Sequence, residues 1–384
     1  MKVGILTQYF GSHNYGGLLQ AYALVYVLRQ NGFDAEQICY IPSGVCLDQT
    51  SLSMNGDSTS RIKRYIDALL RKIENKRLSR IIEIRNKKCE GFANTIPHSK
   101  TVYSKYTIKE SNLMYDGFVA GSDQIWNPRS LDTTYFLDFA DENKKTVAYA
   151  ASVCRDSLSE VEKKVFRRGL ENLNAVSLRE NCVDVLQELT DKPVQCVLDP
   201  TMLLPKEHWE SITCERLIED EYILCYFLGD NLEQRKIAKE YANRNHLILV
   251  TMPHLAVKVE VNDIGFGDKQ LVDISPQEFL SLIKYAKCVF TDSFHATVFS
   301  LLFQKNFFVF QRSKEKGMTS RINTLLQLYD QCERFCDSKT TLSEILQLDA
   351  RPKDTMNNQN AVESIRKLSI EYLLCSLDLN YLNK

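Results

Sequence analysis

No apolar stretch in this 384-residue chain approaches the roughly 18 to 20 residues needed to cross a bilayer, so no membrane-spanning helix is expected. The opening Met1-Lys2-Val3-Gly4-Ile5-Leu6-Thr7 also lacks the basic start and continuous apolar core of a signal peptide, which points to a cytoplasmic location. Excess charge of one sign is missing too. At a net −1 the chain has no global electrostatic reason to bind nucleic acid, and no nucleic-acid partner is expected. There is no CxxC pair among the twelve cysteines, and the closest two, Cys332 and Cys336, have no histidine nearby, so no structural metal is expected. Most cysteines sit in apolar surroundings such as Gln37-Ile38-Cys39-Tyr40 and read as small buried hydrophobes in a reducing compartment. The GxGxxG spacing is absent, which leaves dinucleotide binding weakly supported.

What is present is core-forming material. With 44% hydrophobic and 25% charged residues, a chain of this length divides into two domains. Lys2 to Thr7 reads as a parallel strand. A loop from Gln8 to Tyr15 then leads to a Gly16-Gly17 turn and a helix from Leu18 to Asn31, ended by Gly32. Ala35 to Tyr40 completes β-α-β. Strand and helix patterns continue to alternate as far as Gln195 to Leu198. Asp199-Pro200 and Pro205 break the alternation, and a second series begins at Tyr222. The expected fold is α/β: two Rossmann-like, doubly wound domains facing a cleft, over residues 1–205 and 220–345, with a helical tail over 346–384. The tail helix, from about Asn360 to Leu374, is amphipathic through Ile365, Leu368, Ile370 and Leu373 or Leu374, and is expected to pack back on the first domain.

Residues of about 61–90 form a basic helical insertion. Between 61 and 88 there are eleven Lys/Arg and three acids, a net +8, and Ile62, Ile66, Leu69, Leu70 and Ile73 make an apolar stripe. One reading is a helix lying on the domain with a solvated basic face. The other is peripheral contact with an anionic membrane at its inner face.

The most informative segment is Thr291-Asp292-Ser293-Phe294-His295, where the buried-strand pattern Cys288-Val289-Phe290 opens directly into a helix. Unpaired amides at a helix start favour an anion, and a histidine among them can move a proton.

Several segments in order resemble the polysaccharide pyruvyl transferase family: Gly4-Ile5-Leu6-Thr7, Asn14-Tyr15-Gly16-Gly17, Gln20-Ala21-Tyr22 and Val119 to Asn127. The series continues with Ser177-Leu178-Arg179-Glu180, Asp199-Pro200-Thr201, Thr291 to His295 and Ser320-Arg321-Ile322. The resemblance implies a fold like that of GT-B glycosyltransferases, with phosphoenolpyruvate as donor substrate and no further cofactor. It implies transfer of a pyruvyl group to two hydroxyls of a sugar, as a cyclic ketal, on a cell-surface polysaccharide or a lipid-linked precursor. His295 would then move a proton, and Arg179 would grip the donor's carboxylate or phosphate. Ser293, Phe294, Arg312, Lys314 and Arg321 complete the expected donor side. Family members commonly carry an arginine where this chain has Ser293, so a cation is missing there that Arg312, Lys314 or Lys316 could supply.

On the acceptor side, Asn14, Tyr15, Gly16, Gln124, Trp126 and Asn127 offer an aromatic face and fixed polar groups, with Asp123 as base for a hydroxyl. The competing reading puts Trp126 in the core and Asp123 in a turn before Pro128. Two other functions fit the same architecture. One is a glycosyltransferase with a nucleotide-sugar donor, for which Glu278 or Asp273 would have to hold the ribose. The other is a non-catalytic glycan-binding homologue, with Ser293 marking lost donor chemistry.

Overall fold

A computed structural model describes residues 1–42, 61–254, 260–312, 317–350 and 358–378. The side chains of residues 61–68, 71, 72, 75, 317 and 318 lie outside that description. So does Lys314.

Two wholly parallel sheets dominate. The first joins β1 (Lys2–Leu6), β2 (Asp34–Ile41), β3 (His98–Ser104), β4 (Gly117–Ala120), β5 (Lys145–Ala151), β6 (Ala175–Leu178) and β7 (Val194–Cys196). Their order is β3-β2-β1-β4-β5-β6-β7. The second joins β8 (Tyr222–Tyr226), β9 (Ile248–Thr251), β10 (Lys269–Gln270), β11 (Cys288–Thr291), β12 (Asn306–Phe310) and β13 (Phe335–Cys336), in the order β10-β9-β8-β11-β12-β13. Each sheet therefore reverses direction beside its first strand, between β1 and β4 and between β8 and β11. In open α/β sheets that reversal leaves a crevice at the strand C-termini where ligands bind.

The connecting helices are α1 (Tyr15–Gln30), α2 (Arg61–Ala93), α3 (Glu160–Glu171), α4 (Val183–Gln187), α5 (Pro200–Leu203) and α6 (Lys206–Ile212) in the first half. The second half adds α7 (Leu232–Arg244), α8 (Pro276–Tyr285), α9 (Phe294–Leu302), α10 (Gly317–Leu328), α11 (Leu342–Asp349) and α12 (Gln359–Leu377). Capping explains several starts. The Ser159 and Glu162 pair opens α3, Ser275 and Glu278 open α8, and Thr341 and Glu344 open α11, each as a reciprocal capping box.

The expected glycine turn is absent. Asn14 caps α1 by accepting from the Gly17 amide at 3.1 Å, so Gly16 and Gly17 lie in the first helical turn. The expected limit at residue 345 falls inside α11. Its Ile345 is fully buried in the second domain's core, and α11 packs on α7. Among the described residues of the tail, α12 is the part that returns, packing on β5 and α5 with Leu373, Leu374 and Leu377 buried, while Leu368 stays exposed.

The insertion helix α2 is longer than expected and joins both domains at one edge of the cleft. Arg85 donates through Nε to the Tyr15 hydroxyl at 2.9 Å and through a terminal nitrogen to the His13 carbonyl at 2.6 Å. One turn on, Lys88 pairs with Glu278 of α8 at 3.0 Å. The expected apolar stripe does not pack at this level of the helix: Leu69, Leu70 and Ile73 are exposed, and Ile62 and Ile66 lie outside the described side chains.

Candidate active site

The two switch-point crevices face each other, and α9 stands between them. All nine residues of α9 are buried, because it packs against the first domain through α5 as well as against α8 and α10 of its own. Tyr15 stacks on Phe279 at 5.0 Å, and Trp209 meets Phe299 edge-on at 5.0 Å, closing the domains with aromatic contact. A pocket of about 40 Å³ remains, lined by Asn14, Gly16, Asp123, Gln124 and Arg179 from the first domain. Tyr226, Leu228, Phe279, Ser293, Phe294, His295, Arg312 and Arg321 complete it from the second.

At its floor lies a buried charge hub. The turn after β4 is wound tightly: Gly121 has φ +120°, and a Cβ there would stand 2.2 Å from the Tyr149 carbonyl oxygen. This brings Asp123 to Arg179. Arg179, its side chain fully buried, donates to Asp123 Oδ1 and to Asp199 Oδ2, each at 2.8 Å. Asp199 also caps α5, accepting from the Thr201 amide and hydroxyl. Burial alone would raise the pKa of Asp123, but Arg179, His295 and Arg321 outweigh it and leave it below the ordinary value. Asp199 is likewise held well below the ordinary carboxylate range. Burial opposes its ionisation, and His295, Arg179 and Thr201 reverse that.

His295 sits over the hub. Its Nε2 is 3.8 Å from Asp199 Oδ2, too long for a hydrogen bond, and has no hydrogen-bond partner among the described residues. Its ring lies against the backbone of Gly16. Ser293 caps α9, with Oγ accepting from the Ala296 amide at 3.5 Å. Phe294 is covered by two guanidiniums, those of Arg179 and Arg321, at 4.5 and 6.0 Å from the ring centroid.

The other two arginines are less committed. Arg312 donates to the Asp292 carbonyl at 2.8 Å and lies 3.5 Å from the Asp292 carboxylate, which already accepts from the amides of Leu228 and Gly229. Arg321 is 3% exposed, and among the described residues its hydrogen bonding is one contact to Cys154 Sγ at 3.6 Å. Burial lowers its pKa, and Arg179 and Arg312 push the same way.

Several expectations need correction. Trp126 is fully buried, stacked on Phe136 at 5.1 Å with its indole N–H donated to the Tyr135 carbonyl, so its ring faces no sugar. Tyr15 is a domain-closing residue whose hydroxyl donates to the Ile274 carbonyl at 3.0 Å. Asn127 is not in the pocket. It holds Gln124 from behind, donating to Gln124 Oε1 at 3.2 Å. Asp123, expected as a base, is an ion-pair partner kept ionised, which makes it a weak base. Arg179, expected to grip the donor, has both terminal nitrogens engaged by carboxylates. Arg321 lies in the second turn of α10 rather than at its start. The expected ribose carboxylates are also taken up: Glu278 caps α8 and pairs with Lys88, and Asp273 lies 3.9 Å from Lys88.

Sequence reading missed Tyr226, Leu228 and Phe279, which lie in apolar runs and carry no local signal. It read Asp199 as a break in the strand pattern and as part of a family segment but gave it no place in the site, although the Asp-Pro-Thr start is itself a helix-cap signature.

Two parallel doubly wound sheets that face each other across their switch points define a GT-B-like two-domain protein. Solved structures agree on the fold. UDP-N-acetylglucosamine 2-epimerase from Rickettsia bellii is similar with a TM-score of 0.53 at 8% identity, over 99% of this chain and 97% of that one. The Neisseria meningitidis UDP-GlcNAc 2-epimerase bound to UDP-GlcNAc is similar with a TM-score of 0.52 at 10% identity, over 97% and 100%. No curated protein matches the sequence. The model of the family described as polysaccharide pyruvyl transferase matches residues 14–314. The chain belongs to the polysaccharide pyruvyl transferase family.

Proposed function

We propose that the protein transfers the pyruvyl group of phosphoenolpyruvate to two hydroxyls of a sugar in a polysaccharide or its precursor, forming a cyclic ketal. The observation that carries this reading beyond family membership is His295 at the start of α9, its Nε2 without a hydrogen bond, between a carboxylate–arginine hub and two further arginines. In the reaction a proton adds to the enol CH2 of the donor, and the first sugar hydroxyl attacks C2. The C2–O bond to phosphate then breaks, and the second hydroxyl closes the ring. The two hydroxyl protons balance the one gained by the methyl group and the one taken by the departing phosphate.

In this reading His295 moves the first of these protons. Asp123, ionised, accepts a hydrogen bond from an acceptor hydroxyl and orients it instead of removing its proton. Asn14 and Gln124 face the same side. The pocket, about 40 Å³, is far below the several hundred Å³ of a substrate site, so this reading requires the domains to part before a sugar enters. The basic helix α2 suits contact with anionic lipid where the acceptor is membrane-tethered.

The test is incubation with phosphoenolpyruvate and a panel of sugars, following phosphate release and the ketal methyl resonance by NMR, with His295→Ala as control. Phosphate release with a new ketal, lost in the variant, is the expected result. Consumption of a nucleotide sugar instead would move the protein to glycosyl transfer. Sugar binding without turnover of any donor would leave a glycan-binding protein.

A further inference from the structure

A second cavity, of about 670 Å³, adjoins the charge hub. Arg179 and Phe294 line both it and the pocket that holds His295. Three elements wall it: the chain leaving β7 in the first domain, α10 of the second domain, and α12, the helix that crosses back. Protein interiors hold few voids larger than a water molecule, whereas this one falls within the roughly 300 to 1,000 Å³ of small-molecule sites.

Its lining decides what could fill it. Val197, Leu198 and Met202 from the first domain meet Leu325 and Leu328 of α10 and Ile365 and Leu368 of α12. The charged members are Arg179 and Asp199, and they are paired with each other at 2.8 Å. Ser369 Oγ accepts from the Leu198 amide at 3.1 Å, and the Thr324 hydroxyl accepts from the Asn181 amide and donates to the Ser320 carbonyl. An ion entering here would lose its hydration with no free counter-charge to replace it. A sugar would leave many of its hydroxyls without partners on these walls. The rim differs from the interior: Gln195 and Gln327 are exposed there, and so is Leu368, at 62%.

We propose that this cavity binds a neutral amphiphile, a molecule with a hydrocarbon chain and an uncharged polar end, as a ligand separate from donor and acceptor. The chain lies along Leu198, Leu325 and Ile365, where apolar walls favour it. The polar end meets the side-chain amides of Gln195 and Gln327 at the rim. Separateness follows from the shared wall. Arg179 is held by Asp123 as well as Asp199, and its guanidinium covers the Phe294 ring at 4.5 Å, so a molecule spanning both spaces would have to open the hub. An occupant touches both domains and therefore favours the arrangement in which the cavity is formed. The site does not rest on the pyruvyl-transfer reading.

The test titrates the full-length protein calorimetrically with decanol and with decanoate, which carry chains of the same length and differ in charge. Saturable decanol binding is expected, with decanoate weaker by at least about 10-fold because no free cation meets its carboxylate. Leu368→Asp, a surface substitution that folding tolerates, should weaken decanol by about 10-fold through the charge placed at the rim. Gln124→Ala, which alters the small polar pocket and not this cavity, should leave decanol affinity unchanged. No saturable decanol binding by the wild type, or unchanged affinity in Leu368→Asp, would overturn the proposal. Equal affinity for decanoate would overturn the neutral ligand, and a loss in Gln124→Ala would overturn the separate one.

Discussion

The backbone of Gly16 lies so close to the imidazole of His295 that a Cβ built at residue 16 would stand 2.0 Å from Nδ1. The contact joins the first turn of α1 in one domain to the first turn of α9 in the other. Gly16→Ala is compatible with the helix and even favours it, so secondary structure should be retained. The imidazole must move aside. We expect kcat/KM for pyruvyl transfer to fall by about 100-fold, the scale of a 1 Å misplacement of a reacting group. Wild-type turnover in Gly16→Ala would show that the observed position of His295 is not the working one.

Removing the centre of the charge hub should be far more damaging than removing either carboxylate. Arg179→Met leaves Asp123 and Asp199 facing each other in a buried site, a loss of about 3–5 kcal/mol in urea unfolding. Adding Asp199→Asn to that variant should restore part of the stability. Additive losses in the double variant would mean that the two residues act independently.

Trp126 is expected to affect stability and leave sugar recognition alone. Trp126→Ala should lower unfolding free energy by about 3–5 kcal/mol. Trp126→Phe should be milder, because a ring still stacks on Phe136. Sugar affinity per folded molecule, measured by titration, should be unchanged in Trp126→Phe.

His254 gives stability an acid slope. Burial, reinforced by Arg312, lowers its pKa from 6.5 to about 4 in the folded chain, with Asp292 opposing. The unfolded chain therefore binds more protons than the folded one between pH 6.5 and about 4. Stability falls as pH drops through that window. His254→Gln should flatten this part of a Tm-against-pH curve. An unchanged slope would place the acid sensitivity elsewhere.

The parts of this fold that were legible in the sequence are those with a local cause. The strand at Cys288–Thr291 and the helix carrying His295 follow from an apolar run meeting a serine cap, and two series of such runs predict two sheets. Short edge strands such as Lys269–Gln270 and Phe335–Cys336 carry too little pattern to be seen. Trp126 was ambiguous because an aromatic at the end of a loop serves a core or a ligand with the same residue type. The hub was legible only in pieces. Asp123, Arg179 and Asp199 come from three connections of one sheet, and only the topology shows that the arginine is occupied and that Arg321, from another domain, is not.

The last helix has a mechanical consequence. The chain leaves the first domain after α6 and returns to it with α12, so the second domain is attached at two points, and α2 adds a noncovalent tie through Lys88 and Glu278. A body hung from one tether can swivel in any direction, whereas one held by two can only rotate about the line joining them. Any relative movement of the domains is restrained accordingly, and the Gly16–His295 contact lies on the faces that such a movement would separate.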